Sequence, residues 1–321
     1  MRRTLALGSL LVVATVGVPA LAPASAQSYQ QFNRWCYGEA TADQTIQGCD
    51  AVIRWARETP RDTGTAFYNR GLALAAKGQL DRAIDDYGQA IRLRPDLSDA
   101  YNNRGIAWRL KGDETRALED FDQALQLRPG DVDALYNRGL ALTGLRQYDR
   151  AIAEFNAALR LQPDDLDAIA SRGAAWQRKG EVERALQDYD QVLRARPGNV
   201  IALAGRCATR AIVGRPPAAL AAALAAALAD CNEALRLKPG DLPALEARGF
   251  VQLRLNRPDA AIADFDLVLK AAPGAANALY GRGIARRRTG NPASGDADIA
   301  AAKAIQADIA DEFTRQGVGG S

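Results

Sequence analysis

Residues 64–97 read GTAFYNRGLALAAKGQLDRAIDDYGQAIRLRPDL, and what decides the fold is that this stretch comes back. Its Arg70-Gly71 pair returns as Arg104-Gly105, Arg138-Gly139 and Arg172-Gly173, each 34 residues after the last, and again as Arg248-Gly249 and Arg282-Gly283, also 34 apart. Gly173 and Gly249 are 76 residues apart, 8 more than two periods. Arg206-Cys207 stands one period after Arg172-Gly173, so a copy with its glycine replaced and 8 residues added lies between. A fixed period of this length marks a stacked array in which each unit packs on its neighbours. Such arrays mainly present surfaces, which favours a scaffold over an enzyme.

The copy starting at Gly64 splits into two helical halves. The first, about Thr65 to Lys77, is ended by Gly78. The second, Leu80 to Leu93, is stopped by Pro95, which has no amide hydrogen for a further turn. Gly112, Gly180, Gly214 and Gly290 take the place of Gly78, while Pro129, Pro163, Pro197, Pro239 and Pro273 take that of Pro95. Leu80, Ala83, Ile84, Tyr87, Ala90 and Ile91 form the apolar stripe of an amphipathic helix. Gly71 costs the first helix roughly 1 kcal/mol against alanine, a cost offset if it marks close helix approach. Ala83, Ala117, Ala151, Ala185 and Ala261 are expected to face that glycine, with Tyr87, Phe121, Phe155, Tyr189 and Phe265 beside it.

A 34-residue helix-turn-helix with Gly, Ala, aromatic, Ala and Pro anchors in register resembles the tetratricopeptide repeat. Six units fit from Gly64 to Ala275, the fifth carrying the 8-residue insertion. Residues 276–314 read as a degenerate seventh unit and C-terminal cap, with a second helix from about Asp296 to Phe313, and 315–321 as a flexible tail. Residues 27–63 read as a disulfide-braced partial repeat. The Cys-paired start, the Cys-containing fifth unit and the ending GDADIAAAKAI (295–305) also resemble exported alphaproteobacterial proteins carrying such repeats.

The resemblance implies an all-α fold, a right-handed α-solenoid of antiparallel helix pairs. The first helix of each pair would line a concave face, where members of the family bind peptide segments of partner proteins. Asn69, Asn103 and Asn137 stand at a groove position of the family, beside Tyr68, Asn102 and Tyr136. An amide is both donor and acceptor, so a spaced row of them suits a peptide backbone, or alternatively bonds neighbouring helices. The row ends at Ser171, Gly205 and Ala247. The family's chaperone-tail clamp sets basic residues around two asparagines, whereas Asp99, Asp133 and Asp167 stand at the early groove positions here. Basic residues come later, at Arg178, Arg254, Arg286, Arg287 and Arg288.

The 321 residues are 48% hydrophobic and 25% charged, the balance of an ordinary soluble protein. Removing Arg2 and Arg3 takes the net charge from +3 to +1, which argues against nucleic acid or an anionic membrane surface as the main partner. Arg2-Arg3, the apolar run Leu5 to Val18 and the small residues Ala24-Ser25-Ala26 read as a signal peptide cleaved after Ala26. The mature protein would be periplasmic or secreted and free of the membrane. An uncleaved anchor is the alternative, against which the run falls short of the ~20 apolar residues of a spanning helix. The sequence has no histidine, so His-based triads, bases and metal sites are ruled out. Without a Gly-rich phosphate loop or a Gly-x-Ser-x-Gly turn either, no catalytic, metal or cofactor site is expected and the chain reads as a non-enzyme.

Four cysteines in an exported chain point to disulfides. Cys207 takes the packing glycine of the fifth unit and Cys231, 8 before Pro239, takes its aromatic, so the two are expected to pair. Cys49 falls at the aromatic position of the partial repeat, and Cys36 closes a short loop onto it. The Ala-Leu run from Ala218 to Asp230 extends the fifth unit's second helix by about two turns, either as a tolerated expansion or as an apolar ridge for a partner. Arg70, Arg104, Arg138, Arg172, Arg206, Arg248 and Arg282 are matched by Asp86, Asp120, Glu154, Asp188, Asp230, Asp264 and Asp298, which suggests a structural ladder of ion pairs. Trp108 and Trp176 are read as packing. The preferred function is a monomeric periplasmic scaffold that holds a protein or peptide segment at Asn69, Asn103, Asn137, Tyr68, Asn102, Tyr136 and Arg178. A self-associating assembly factor of the cell envelope is the alternative.

Overall fold

The computed structural model describes residues 24–55, 58–212 and 217–315. The predicted signal segment up to residue 23, Gly214 and residues 316–321 of the predicted tail lie outside these. The described residues form helices and no strand, divided into two compact units, Met1–Pro95 and Asp96–Ser321. None of the described helices is long and apolar enough to cross a membrane.

The first unit is two hairpins, α1 (Ala24–Tyr37) with α2 (Ala42–Trp55) and α3 (Pro60–Ala76) with α4 (Leu80–Leu93). A buried disulfide, Cys36–Cys49 with S–S 2.11 Å, closes the first hairpin. Helix α3 begins about a turn before the expected Thr65. Thr59 caps it by accepting the Asp62 amide at 3.1 Å, and Pro60 supplies a first residue whose φ is already helical.

The second unit stacks six hairpins: α5 (Ser98–Leu110) with α6 (Glu114–Leu127), α7 (Val132–Gly144) with α8 (Tyr148–Leu161), and α9 (Leu166–Lys179) with α10 (Val182–Ala195). They continue as α11 (Val200–Arg210) with α12 (Pro217–Leu237), α13 (Leu242–Arg254) with α14 (Pro258–Ala271), and α15 (Ala276–Arg288) with α16 (Pro292–Ile305). Capping sets the register: Asp113, Asp131, Asp165, Asn199 and Asp241 each accept a first-turn amide at 2.9–3.1 Å. The turn inside a hairpin needs positive φ, met by Gly112, Gly180 and Gly290 at 82°, 92° and 82°, and by Arg146 and Asn256 at 59° and 56° where glycine is missing. The seventh repeat, α15 with α16, does not carry one long helix from Asp296 to Phe313. Pro292 starts α16 earlier, and the chain breaks at Gln306, the residue in register with Arg94 and Arg128, which also end their helices. A separate short helix, α17 (Ile309–Arg315), follows.

What touches the repeated glycine is the aromatic ring itself, not the alanine. A Cβ built on Gly105 would lie 2.7 Å from the Phe121 ring, and on Gly139 or Gly249 the same distance from Phe155 or Phe265. The rings are fully buried, so the missing Cβ is the space the ring fills. In the fifth unit the same two positions are Cys207 and Cys231, joined at 2.05 Å with Cα atoms 5.6 Å apart. The covalent bond occupies the place of the glycine–ring contact. Helix α12 has 21 residues against 14 in α10 and α14. Its leucines turn inward: Leu224 is buried, and Leu220 and Leu228 pack beside the disulfide. Its exposed face carries the alanines Ala221, Ala222, Ala225 and Ala229, so the insertion does not raise a ridge of large apolar side chains.

Two consequences are measurable by thermal unfolding followed by circular dichroism. Gly105→Ala overpacks Phe121 and is expected to cost about 1–3 kcal/mol. Replacing the second disulfide by the contact of the other repeats, Cys207→Gly with Cys231→Phe, should retain more stability than Cys207→Ser with Cys231→Ser. The serine pair loses the cross-link, about 3–4 kcal/mol for a loop of this size, and buries two hydroxyls as well.

Candidate peptide-binding face

In the second unit, successive first helices touch (α5 with α7, α7 with α9, α9 with α11, α11 with α13, α13 with α15), while successive second helices do not touch one another. The stack therefore bends toward its first helices and presents them on its inner side.

The arginine column fixes this arrangement. In the second unit Arg104, Arg172, Arg248 and Arg282 each give Nε and Nη2 to both carboxylate oxygens of Asp120, Asp188, Asp264 and Asp298, at 2.6–2.9 Å. Arg206 does the same to Asp230. In the first unit Arg70 holds Asp86 in the same way. These hydrogen bonds hold Arg70 above the ordinary arginine range. Burial pushes the Asp120 carboxyl up, against the pull of Arg104.

The guanidinium has a second partner that the pairing of columns did not reveal. Nη1 of Arg138, Arg172, Arg206, Arg248 and Arg282 reaches back to Asp122, Asn156, Asp190, Asn232 and Asp266 on the preceding hairpin, at 2.7–3.1 Å. The signal was in the sequence: an Asp or Asn stands two residues after Asp120, Glu154, Asp188, Asp230 and Asp264. Each of these five arginines thus ties three helices.

The predicted binding residues divide between the units. Asn69 and Tyr68 belong to the first. The Asn69 amide donates to the Cys36 carbonyl at 2.9 Å, and Tyr68 leans on Tyr87 with ring centroids 6.0 Å apart. In the second unit Asn137 is buried and donates to Asn102 at 3.2 Å, bridging α7 and α5. Tyr136 and Ser171 share a hydrogen bond of 3.3 Å between α7 and α9. Asn103 donates to the Asp99 carbonyl one turn back, at 2.9 Å. The amides therefore bond within and between first helices. Asp99 itself pairs with Arg128. Trp108 and Trp176 lie under Arg116 and Arg184 at 3.5 and 4.6 Å, a packing role.

The basic end is different. Arg178, Arg254 and Arg288 share one register position, seven residues after the asparagine position and hence on the same helix face. Arg178 is exposed, Arg254 donates to the Ala211 carbonyl, and Arg288 donates to that of Leu253 at 2.8 Å. Among the described residues none of the three has a carboxylate partner. Burial without one pulls Arg254 below the ordinary arginine range.

The sequence profile described as TPR repeat matches residues 71–112, and that described as Tetratricopeptide repeat matches 111–165, 136–200 and 247–311. Together these span more than half of the chain, and the chain belongs to the tetratricopeptide repeat family. Solved structures of the same fold include a tetratricopeptide repeat protein from Parabacteroides merdae, at 19% identity and TM-score 0.61, covering 79% of this chain and 98% of that one. The APC/C hetero-tetramer Cut9-Hcn1 is similar at 14% identity and TM-score 0.62, covering 87% of this chain and 51% of that one. Pseudomonas aeruginosa pilF matches at 15% identity and TM-score 0.53, over 68% of this chain and 97% of its own. Among curated proteins no match was found.

One rung of the ladder is imperfect. Arg138 meets Glu154 through Nη2 alone, at 2.7 Å, and its buried Nε has no partner. Glu154→Asp brings this rung to the geometry of the others, and chemical unfolding is expected to show a gain of about 1 kcal/mol.

Proposed function

We propose that the chain is an extracytoplasmic interaction scaffold, exported to the periplasm or secreted, that holds an acidic segment of a partner protein along its first helices. The observation that carries this reading is the contrast between two sets of arginines. The ladder arginines are each matched to an acid, whereas Arg178, Arg254 and Arg288 line the inner side with none. Guanidinium forks are suited to carboxylates, and three at one register position present a spaced row. Asn103 and the Asn102–Asn137 pair, with Tyr136, would grip the backbone further along, and Asn69 with Tyr68 would do the same in the first unit. The two disulfides support an oxidising compartment, as does the signal-like start. In this reading residues 1–26 are removed, 27–63 brace the start, 64–275 are six full units and 276–314 close the array.

Binding to synthetic peptides by fluorescence anisotropy tests it. Acidic peptides should bind better than basic ones of equal length, and more weakly as salt is raised. Arg178→Glu should weaken acidic peptides tenfold or more with the unfolding midpoint unchanged. Equal binding of acidic and basic peptides, or no effect of Arg178→Glu, would remove the basic row from the site.

A further inference from the structure

The last helix, α17, does not sit where the register of the array would put it. Its sequence comes one period after the start of α15, at the place where a next first helix would stack beside α15. Instead the Phe313 ring lies 4.9 Å from that of Phe250 on α13 and 4.5 Å from that of Tyr280 on α15, both edge-to-face. A regular neighbour of α15 would stand two helix spacings, roughly 20 Å, from α13. Phe250 lies three residues after Ala247, the counterpart of Asn137, and four before Arg254, so it is on the inner face. Phe265 backs it at 5.2 Å, reached past Gly249 and Gly281, which carry no side chain to block the ring. Phe313 and Ile309 are fully buried there. Asp308 meets Arg146, at the turn of the α7–α8 hairpin, at 3.2 Å. Helix α17 is thus folded onto the inner side of the second unit.

The segment has a definite chemistry: Asp308, Ile309, Ala310, Asp311, Glu312 and Phe313 put three acids and one aromatic in six residues. It lies on a face whose Arg254 and Arg288 lack carboxylate partners. Two buried side chains hold seven helical residues, a small anchor for the backbone it orders.

We propose that the Phe250–Tyr280 pocket is the anchor site for an aromatic side chain of an acidic helical partner segment, and that α17 occupies it in cis until such a segment displaces it. This rests on the reading of the inner face as the binding face and names what it takes. A tethered competitor acts at an effective concentration in the millimolar range, so an external segment binds with an affinity reduced by the fraction of time the pocket is open. Edge-to-face ring contacts give the pocket its preference for an aromatic, and the acids give it its orientation.

The probe is a fluorescein-labelled peptide of residues 306–315, added to the full chain with its cysteines oxidised. Wild type should bind it weakly, and Phe313→Ala should bind it at least tenfold more tightly. Adding Phe250→Ala to Phe313→Ala should abolish the gain, as should replacing the peptide's own phenylalanine by alanine. Should Phe313→Ala be too unstable to measure, Asp308→Lys loosens α17 from outside the core and should raise probe affinity in the same direction. No gain in either variant would overturn the proposal and leave α17 a plain structural cap. Continued sensitivity of other acidic peptides to Arg178→Glu would then show that the inner-face reading survives. Loss of both effects would bring down the two together.

Discussion

The guanidinium fork of the ladder arginine is the constraint on which the rest of this structure depends. Five donors in a fixed plane join the first helix of a hairpin to its second helix and, at Arg138, Arg172, Arg206, Arg248 and Arg282, back to the hairpin before. One residue therefore sets both the angle within a hairpin and the step between hairpins. A lysine, with a point charge on a flexible stem, would set neither. The carboxylates it meets are nearly out of solvent, with side-chain exposures of 5–10% for Asp120, Asp188, Asp230, Asp264 and Asp298. Burying them is tolerable only because both oxygens are satisfied. The fifth unit shows how strict this is. Its second helix is 21 residues long where its neighbours have 14, and the extra residues lengthen it at its start, leaving its last fourteen in register with the other second helices. Asp230 thus still faces Arg206 although 24 residues separate them where 16 is the rule.

The glycine beside each arginine does a different job, and the two together explain why the dipeptide is the unit of the pattern. The arginine faces the seam between hairpins while the glycine, one residue and 100° further round the helix, faces the ring of its own hairpin. In the α11–α12 hairpin a disulfide stands in for the ring contact without disturbing the arginine, because the two faces are independent.

This independence also governs what could be read from the sequence. The period, the hairpins and both disulfides were legible because each depends on a position that recurs, and a recurring position reveals its partner by recurring with it. The back-contacts to Asp122, Asn156, Asp190, Asn232 and Asp266 recur as well, but mixed Asp and Asn hid the column from a search for opposite charge. The asparagines were harder. Their position lies on the boundary between the inner surface and the seam with the next first helix, so one residue type serves either side. Asn137 turns out to bridge to Asn102, while Arg178 is left open to solvent. The placement of α17 could not be read at all: its sequence stays in register, and only tertiary contact takes it off the stack.

The same face changes character along the second unit. Where Asn102 and Asn137 stand, polar groups bond one first helix to the next. Toward the other end the asparagine position becomes Gly205, Ala247 and Gly281, and the position three residues on becomes Phe250. Small residues there let the buried rings of Tyr189 and Phe265 come up against the first helices. The Phe250 ring lies on the same face, and the Phe313 ring of α17 packs against it. The two arginines of that end, Arg254 and Arg288, are held by backbone carbonyls and not by carboxylates, so an acidic segment laid beside α13 and α15 would meet guanidinium groups that no acid of the array has already taken.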